Sequence, residues 1–197
     1  NGQTYTDTKT ADGDFGPHSY TYFSSGNTVT ETCNNCSHTA TATLTATDAT
    51  YAGSPITTGA YVIYSDGWAG SQEHGEITYS NNLNVGDATA KVTVAGKELT
   101  TTFKIHAAGI TDEMVTLNPE NGIYNGNAYT PSITVTFNGI TLVKDTDYTL
   151  SWDKTGFTNA DIYTVTITGK GNFNGTKTRT FTINAADLSD VQMVQDV

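Results

Sequence analysis

Residues 51–106 and 124–183 carry nearly the same pattern twice, and this duplication limits the chain to architectures built from tandem units. At a separation of 73 residues, Tyr51-Ala52-Gly53 matches Tyr124-Asn125-Gly126, and Ile77-Thr78-Tyr79-Ser80 matches Leu150-Ser151-Trp152-Asp153. Val92-Thr93-Val94-Ala95-Gly96-Lys97 matches Val165-Thr166-Ile167-Thr168-Gly169-Lys170 at the same separation. After a five-residue insertion at 171–175, Phe103-Lys104-Ile105-His106 matches Phe181-Thr182-Ile183-Asn184. Gly109-Ile110-Thr111-Asp112 is echoed by Asp187-Leu188-Ser189-Asp190, so residues 187–197 read as the start of a truncated third copy. The chain then reads as a segment of a longer array.

The composition decides what the units are made of. Thr is the commonest residue and Tyr is frequent, while Leu, Lys and Arg are scarce. Threonine and tyrosine suit half-buried pleated surfaces, and the Leu-Glu-Lys-Arg stretches of helices are missing. The expected class is all-β: two tandem β-sandwich domains, the first with an extra N-terminal β-hairpin. The net charge is −11 with only nine Lys and Arg, which leaves no basic stripe for nucleic acid and disfavours anionic membrane surfaces. No apolar run approaches the length of a spanning helix, so no membrane insertion is expected within this segment.

Along the chain, residues 1–17 lack apolar periodicity and read as a flexible lead-in. The runs 18–23 and 27–33 flank Ser24-Ser25-Gly26 and predict a hairpin closing there. The first unit spans 18–108 and the second 109–186, with a short joint at Ala107-Ala108-Gly109. Asn138-Gly139 lies between two apolar runs and predicts a tight turn, since both residues tolerate positive φ.

Several of these features match a known family. Tyr124-Asn125-Gly126 opens a unit, and Asp145-Thr146-Asp147-Tyr148-Thr149-Leu150 leads into a central strand. Asn84-Val85-Gly86 precedes a strand, and Gly169-Lys170-Gly171-Asn172-Phe173-Asn174-Gly175 separates the last two. In these features the chain resembles the tandem immunoglobulin-like repeats of large surface proteins of Gram-positive, gut-type bacteria. The likeness covers most of 110–183 and is weaker over 45–106, which lacks the Gly-Asn-aromatic-x-Gly loop. It implies a β-sandwich in an extracellular, cell-surface or cell-wall setting, with flanking repeats of the same chain as neighbours. It implies no enzymatic activity.

One constellation carries site chemistry. Cys33-Asn34-Asn35-Cys36 has the C-x2-C spacing that grips a tetrahedral metal from one turn, and His38 follows two residues later. A hairpin closing at Ser24-Ser25-Gly26 pairs residue 18 near residue 32 and brings His18 beside Cys33. His18, Cys33, Cys36 and His38 are thus candidate ligands for a structural zinc clipping the N-terminal hairpin. A local Cys33–Cys36 disulfide and two unpaired thiols are the alternatives. The acidic pairs at 12–14 and 145–147 do not fit a calcium-loop pattern.

Tyr79 and Trp152 occupy matching positions, as inward-facing core residues should. Trp68 has no counterpart in the second unit and sits in the Gly-rich stretch Ser65-Asp66-Gly67-Trp68-Ala69-Gly70. It is the candidate ligand-binding residue, either stacking on a polysaccharide or touching a host surface protein, or else it covers its own domain edge. The four histidines stand near no G-x-S-x-G or H-E-x-x-H pattern, so no catalytic residue is assigned. The expectation is a non-catalytic stalk or adhesion segment that presents other domains, with a carbohydrate- or host-protein-binding module using the Trp68 loop as the alternative.

Overall fold

A computed structural model describes residues 4–5 and 18–187. The chain is all-β, with one short 3-10 turn among the described residues, and divides into two compact units, Asn1–His106 and Ala107–Val197. Most of 1–17 and all of 188–197, read above as a lead-in and a third copy, lie outside the described residues. Within the lead-in, Thr4–Tyr5 nevertheless adds a short edge strand to the first unit.

The first unit contains β1 (Thr4–Tyr5), β2 (His18–Ser25), β3 (Thr28–Cys33), β4 (Thr39–Ala46), β5 (Ala49–Thr50), β6 (Ala60–Tyr64), β7 (Thr78–Ser80), β8 (Gly86–Val94) and β9 (Lys97–His106). They form one sheet in the order β1-β2-β3-β4-β6 and a second in the order β5-β9-β8-β7. Both sheets supply one apolar cluster. Val29, Ala40, Ala42 and Leu44 come from the first, and Ala88, Ala90, Val92, Val94, Leu99, Phe103 and Ile105 from the second. This layering is consistent with a sandwich. The cause is alternation: the buried residues of β3, β4 and β8 recur at every second position and are apolar except for Glu31, and threonines fill most of the intervening positions.

The β2–β3 hairpin closes one step later than the sequence predicts. Ser25 pairs with Thr28, so the turn is Gly26-Asn27, and Gly26 adopts φ 59. Glycine at the first central position of a two-residue turn supplies positive φ without a Cβ clash and matches the twist of the strands. Tyr20, not His18, therefore lies across from the cysteine end of β3, paired with Cys33.

The second unit contains β10 (Ala108–Gly109), β11 (Val115–Asn118), β12 (Asn121–Ile123), β13 (Ser132–Phe137), β14 (Ile140–Thr141), β15 (Tyr148–Trp152), β16 (Asp161–Gly169), β17 (Phe173–Asn174) and β18 (Thr176–Asn184). The main sheet runs β12-β18-β16-β15, beside a β11-β13-β14 sheet and a parallel β10-β17 pair. Asn138 (φ 48) and Gly139 (φ 80) form the tight turn their sequence predicts. The expected joint at 107–109 is itself structured: Ala108 and Gly109 pair with Phe173 and Asn174. The core gathers Leu117, Tyr163, Phe181 and Ile183, with Tyr129, Ile133, Trp152 and Phe157 packed against them.

The same ladder pattern recurs within each unit. Ala49 and Thr50 run parallel to Ile105 and His106, and Gly122 and Ile123 run parallel to Ile183 and Asn184. Each ladder is extended by one bond, Tyr51 N–H to His106 O and Tyr124 N–H to Asn184 O, both 2.8 Å. Across the next strand, Ala88 faces Phe103 and Tyr163 faces Phe181. Ala88 and Tyr163 are 75 residues apart, so β16 is displaced by two residues from the alignment at 73. The five extra residues are thus split, two before β16 and three between β16 and β18, rather than lying together at 171–175.

Candidate functional site

The sequence-predicted metal ligands lie where β2, β3 and the 34–37 connection meet. Cys33 ends β3 with its side chain inward, and Cys36 is exposed in the connection. Their sulfurs are joined in a disulfide across a Cα–Cα distance of 5.4 Å. His18 Nδ1 lies 3.4 Å from Cys33 Sγ, and one ligand atom each from His18, Cys33 and Cys36 falls within 4.8 Å of the others. The closeness of His18 is diagonal: it sits two residues from Tyr20, on the face that Tyr20 shares with Cys33.

Asn34 fastens the connection to β2. Its N–H donates to Ser19 O (2.9 Å), its Nδ2 donates to Ser19 Oγ (3.1 Å), and its Oδ1 accepts from Thr21 Oγ1 (3.2 Å). Asn35 Oδ1 stands 3.3 Å from Cys33 Sγ. A disulfide sulfur carries no proton, so this is a polar contact rather than a hydrogen bond.

His38 does not join the cysteines. Its backbone carbonyl accepts from Cys33 N–H, but its imidazole points along β3, with Nε2 3.6 Å from Glu31 Oε1. Three of the four predicted ligands therefore converge and the fourth is directed elsewhere. In the disulfide state the sulfurs are not thiolates, which zinc ligation requires. The clip expected of a metal is made here by a covalent bond.

Glu31, which sequence reasoning passed over, organises the neighbouring loop. Its side chain is fully buried. Oε1 accepts from Ala69 N–H and Oε2 from Gly70 N–H, each at 2.9 Å. Two backbone donors offset much of the cost of burying a carboxylate. A signal was present in the alternation Val29-x-Glu31-x-Cys33, which puts a charged residue in the buried phase of an apolar strand.

Trp68 lies next to this anchor. The indole is only 9 % exposed and belongs to the first unit's core cluster. It packs between Tyr22 (5.8 Å between ring centroids) and Tyr64 (5.4 Å), and Nε1 donates to Ser71 O. A ring enclosed in this way presents little surface for stacking on a sugar. The glycines around it fit closely: Gly67 adopts φ 81 with the His38 ring 2.8 Å from where a Cβ would sit, and a Cβ at Gly70 would meet Trp68 Nε1 at 2.9 Å. Burial also pushes the Tyr64 phenol above its ordinary value.

Beside the Trp68 loop, an open groove of about 790 Å³ is lined by Ser19, Tyr20 and Tyr22 of β2, with Asn34, Ser71 and Lys97 among its other walls. Its lining mixes hydroxyl, amide and charged groups with two partly exposed tyrosines. The exposed ion pairs lie elsewhere. Lys104 N–H, and secondarily His106, hold the Asp48 carboxyl below the usual range in the first unit. Arg179, then Lys177, do the same to Asp112 in the second.

Among the described residues, no helix is long and apolar enough to cross a membrane. The disulfide is weakly consistent with an extracellular protein, since such bonds persist in oxidising compartments. No protein-family model matches the chain, and a search of curated proteins finds no match.

Proposed function

We propose that this chain is a non-catalytic segment of an extracellular, cell-surface array, in which immunoglobulin-like β-sandwich units space and present other domains. The observation that carries the reading is the ladder common to both units, a parallel first strand followed by the same antiparallel order. A chain that builds one scheme twice from different core residues is suited to serial mechanical units, each resisting unfolding through its own core. The polar, threonine-rich outer faces and the net charge of −11 suit a solvated spacer.

The test expresses residues 18–106 and 107–187 separately and together. Each piece should unfold cooperatively, and the joined chain should show two transitions at the same midpoints. One indivisible transition would remove the modular reading.

A binding role is the second reading, and the groove beside β2 favours it. Its contact residues would be Tyr20 and Tyr22, with Trp68 packed against Tyr22. A polysaccharide fits the hydroxyl- and amide-rich walls. Saturable binding on a broad glycan screen, lost in Tyr20→Ala with an unchanged melting curve, would establish it. A flat screen leaves the spacer reading in place.

A further inference from the structure

The geometry points to a soft-metal site that the Cys33–Cys36 disulfide keeps closed and that two-electron reduction opens. The ligands are His18 Nδ1, Cys33 Sγ and Cys36 Sγ, already within 4.8 Å of one another. They come from the start of β2, the end of β3 and the 34–37 connection; the hairpin ladder fixes Cys33 opposite Tyr20, and His18 stands two residues before Tyr20 on the same strand, paired with Tyr5. The third is held by Asn34, whose backbone and side chain together make three hydrogen bonds to Ser19 and Thr21. None of these bonds involves a sulfur, so cleavage of the disulfide leaves the scaffold intact.

The chemistry balances as follows. A dithiol transfers two electrons and two protons to the Cys33–Cys36 bond and leaves as its own disulfide, freeing two protein thiols. A divalent d10 cation, Zn²⁺, then binds as both thiols release their protons to solvent, with neutral imidazole as the third ligand. Two thiolates and one imidazole leave a fourth tetrahedral position for water, on the side where Cys36 is exposed. His38 is excluded from the set by its approach to Glu31. The site therefore reports the redox state of its surroundings: a covalent clip under oxidising conditions, a metal clip under reducing ones.

The test uses the full chain, oxidised or reduced with a phosphine that is then removed, titrated with Zn²⁺ and separately with Co²⁺. The reduced chain should take up about one Zn²⁺ and show thiolate-to-Co²⁺ charge-transfer bands with tetrahedral d–d absorption, while the oxidised chain shows neither. His18→Ala and Cys36→Ser should weaken binding at least about tenfold, and His38→Ala should leave it unchanged. Far-UV circular dichroism on each sample reports the fold. A reduced chain that shows no charge-transfer bands overturns the proposal, whether or not the hairpin stays folded, because the ladder must hold the ligands. So does binding that is indifferent to His18→Ala.

Discussion

The two units run the same ladder through different interiors. Where the first sets Ala88 opposite Phe103, the second sets Tyr163 opposite Phe181. Alanines at 40, 42, 88 and 90 let the first unit's sheets fill their interface with small side chains. Phe103 meets Tyr79 edge-on at 6.2 Å between ring centroids, and apart from that pair Trp68 sits between Tyr22 and Tyr64 on a loop held by Glu31. The second unit keeps its aromatics central: Phe157 lies against Trp152, Tyr163 and Phe181 at 4.9, 5.0 and 6.3 Å between ring centroids. A strand ladder thus tolerates very different allocations of core volume, provided each unit packs its own interior. The first unit's solution adds two devices, a buried carboxylate and a disulfide, and both lie beside its candidate sites.

The sharpest way to break the comparison is to remove one aromatic from each interior. Phe181→Ala should cost the second unit about 4 kcal/mol, and Trp68→Ala should cost the first about 3 kcal/mol. Calorimetry should show each variant lowering one transition and sparing the other. If Trp68→Ala leaves the first transition untouched, the indole does not belong to the core.

Glu31→Gln comes next. An amide retains one acceptor for the two N–H donors of Ala69 and Gly70, so about 2 kcal/mol should be lost. Trp68 fluorescence against urea, in a Trp152→Phe background, reads that loss directly. An unchanged midpoint would mean that the loop is held by packing alone.

Reducing the disulfide without added metal should cost the first unit a similar amount, about 2 kcal/mol for so short a loop. The second unit contains no cysteine and serves as an internal control in the same scan. A shift in both transitions would contradict the independence of the two interiors.

The smallest effect concerns acid. Asp112 is held below its ordinary value of 3.8 by Arg179 and then Lys177. A carboxyl depressed in the folded state stabilises fully above its unfolded value, and that contribution disappears as pH falls through the lower folded value. Asp112→Asn should therefore leave the second unit almost unchanged at neutral pH, where exposed pairs contribute little. Below about pH 4 it should flatten the loss of stability seen in the parent chain. Parallel acid limbs for the two proteins would remove this pair from the account.

Some of this was legible from residues alone. Strict alternation in Thr28-Val29-Thr30-Glu31-Thr32-Cys33 and in Thr39-Ala40-Thr41-Ala42-Thr43-Leu44 allows only strands with one buried face, because side chains on a strand alternate with period two. The all-β class and the Asn138-Gly139 turn followed from such local rules; His18 does meet both cysteines, but diagonally and through a hairpin shifted from the predicted one. Register did not. A slip of two residues keeps every side chain on its own face, so the pattern around Ala88 and Tyr163 reads equally well at a separation of 73 or 75. Only the hydrogen-bonded partners Phe103 and Phe181 choose between them.

The site residues divide along the same line. The C-x2-C spacing marked Cys33 and Cys36, yet spacing cannot say whether two sulfurs bond to each other or to a metal. It also cannot say that the imidazole of His38 turns toward Glu31, a carboxylate that shares its sheet face. Trp68 stood out because it lies on a loop, but burial depends on what folds over it: Tyr64 is four residues away, whereas Tyr22 and the loop's anchor Glu31 come from strands far earlier in the chain. Local propensity and alternation determined which segments become strands and which face each residue takes. Register, side-chain direction and enclosure were decided by contacts between segments distant in sequence, which no local pattern encodes.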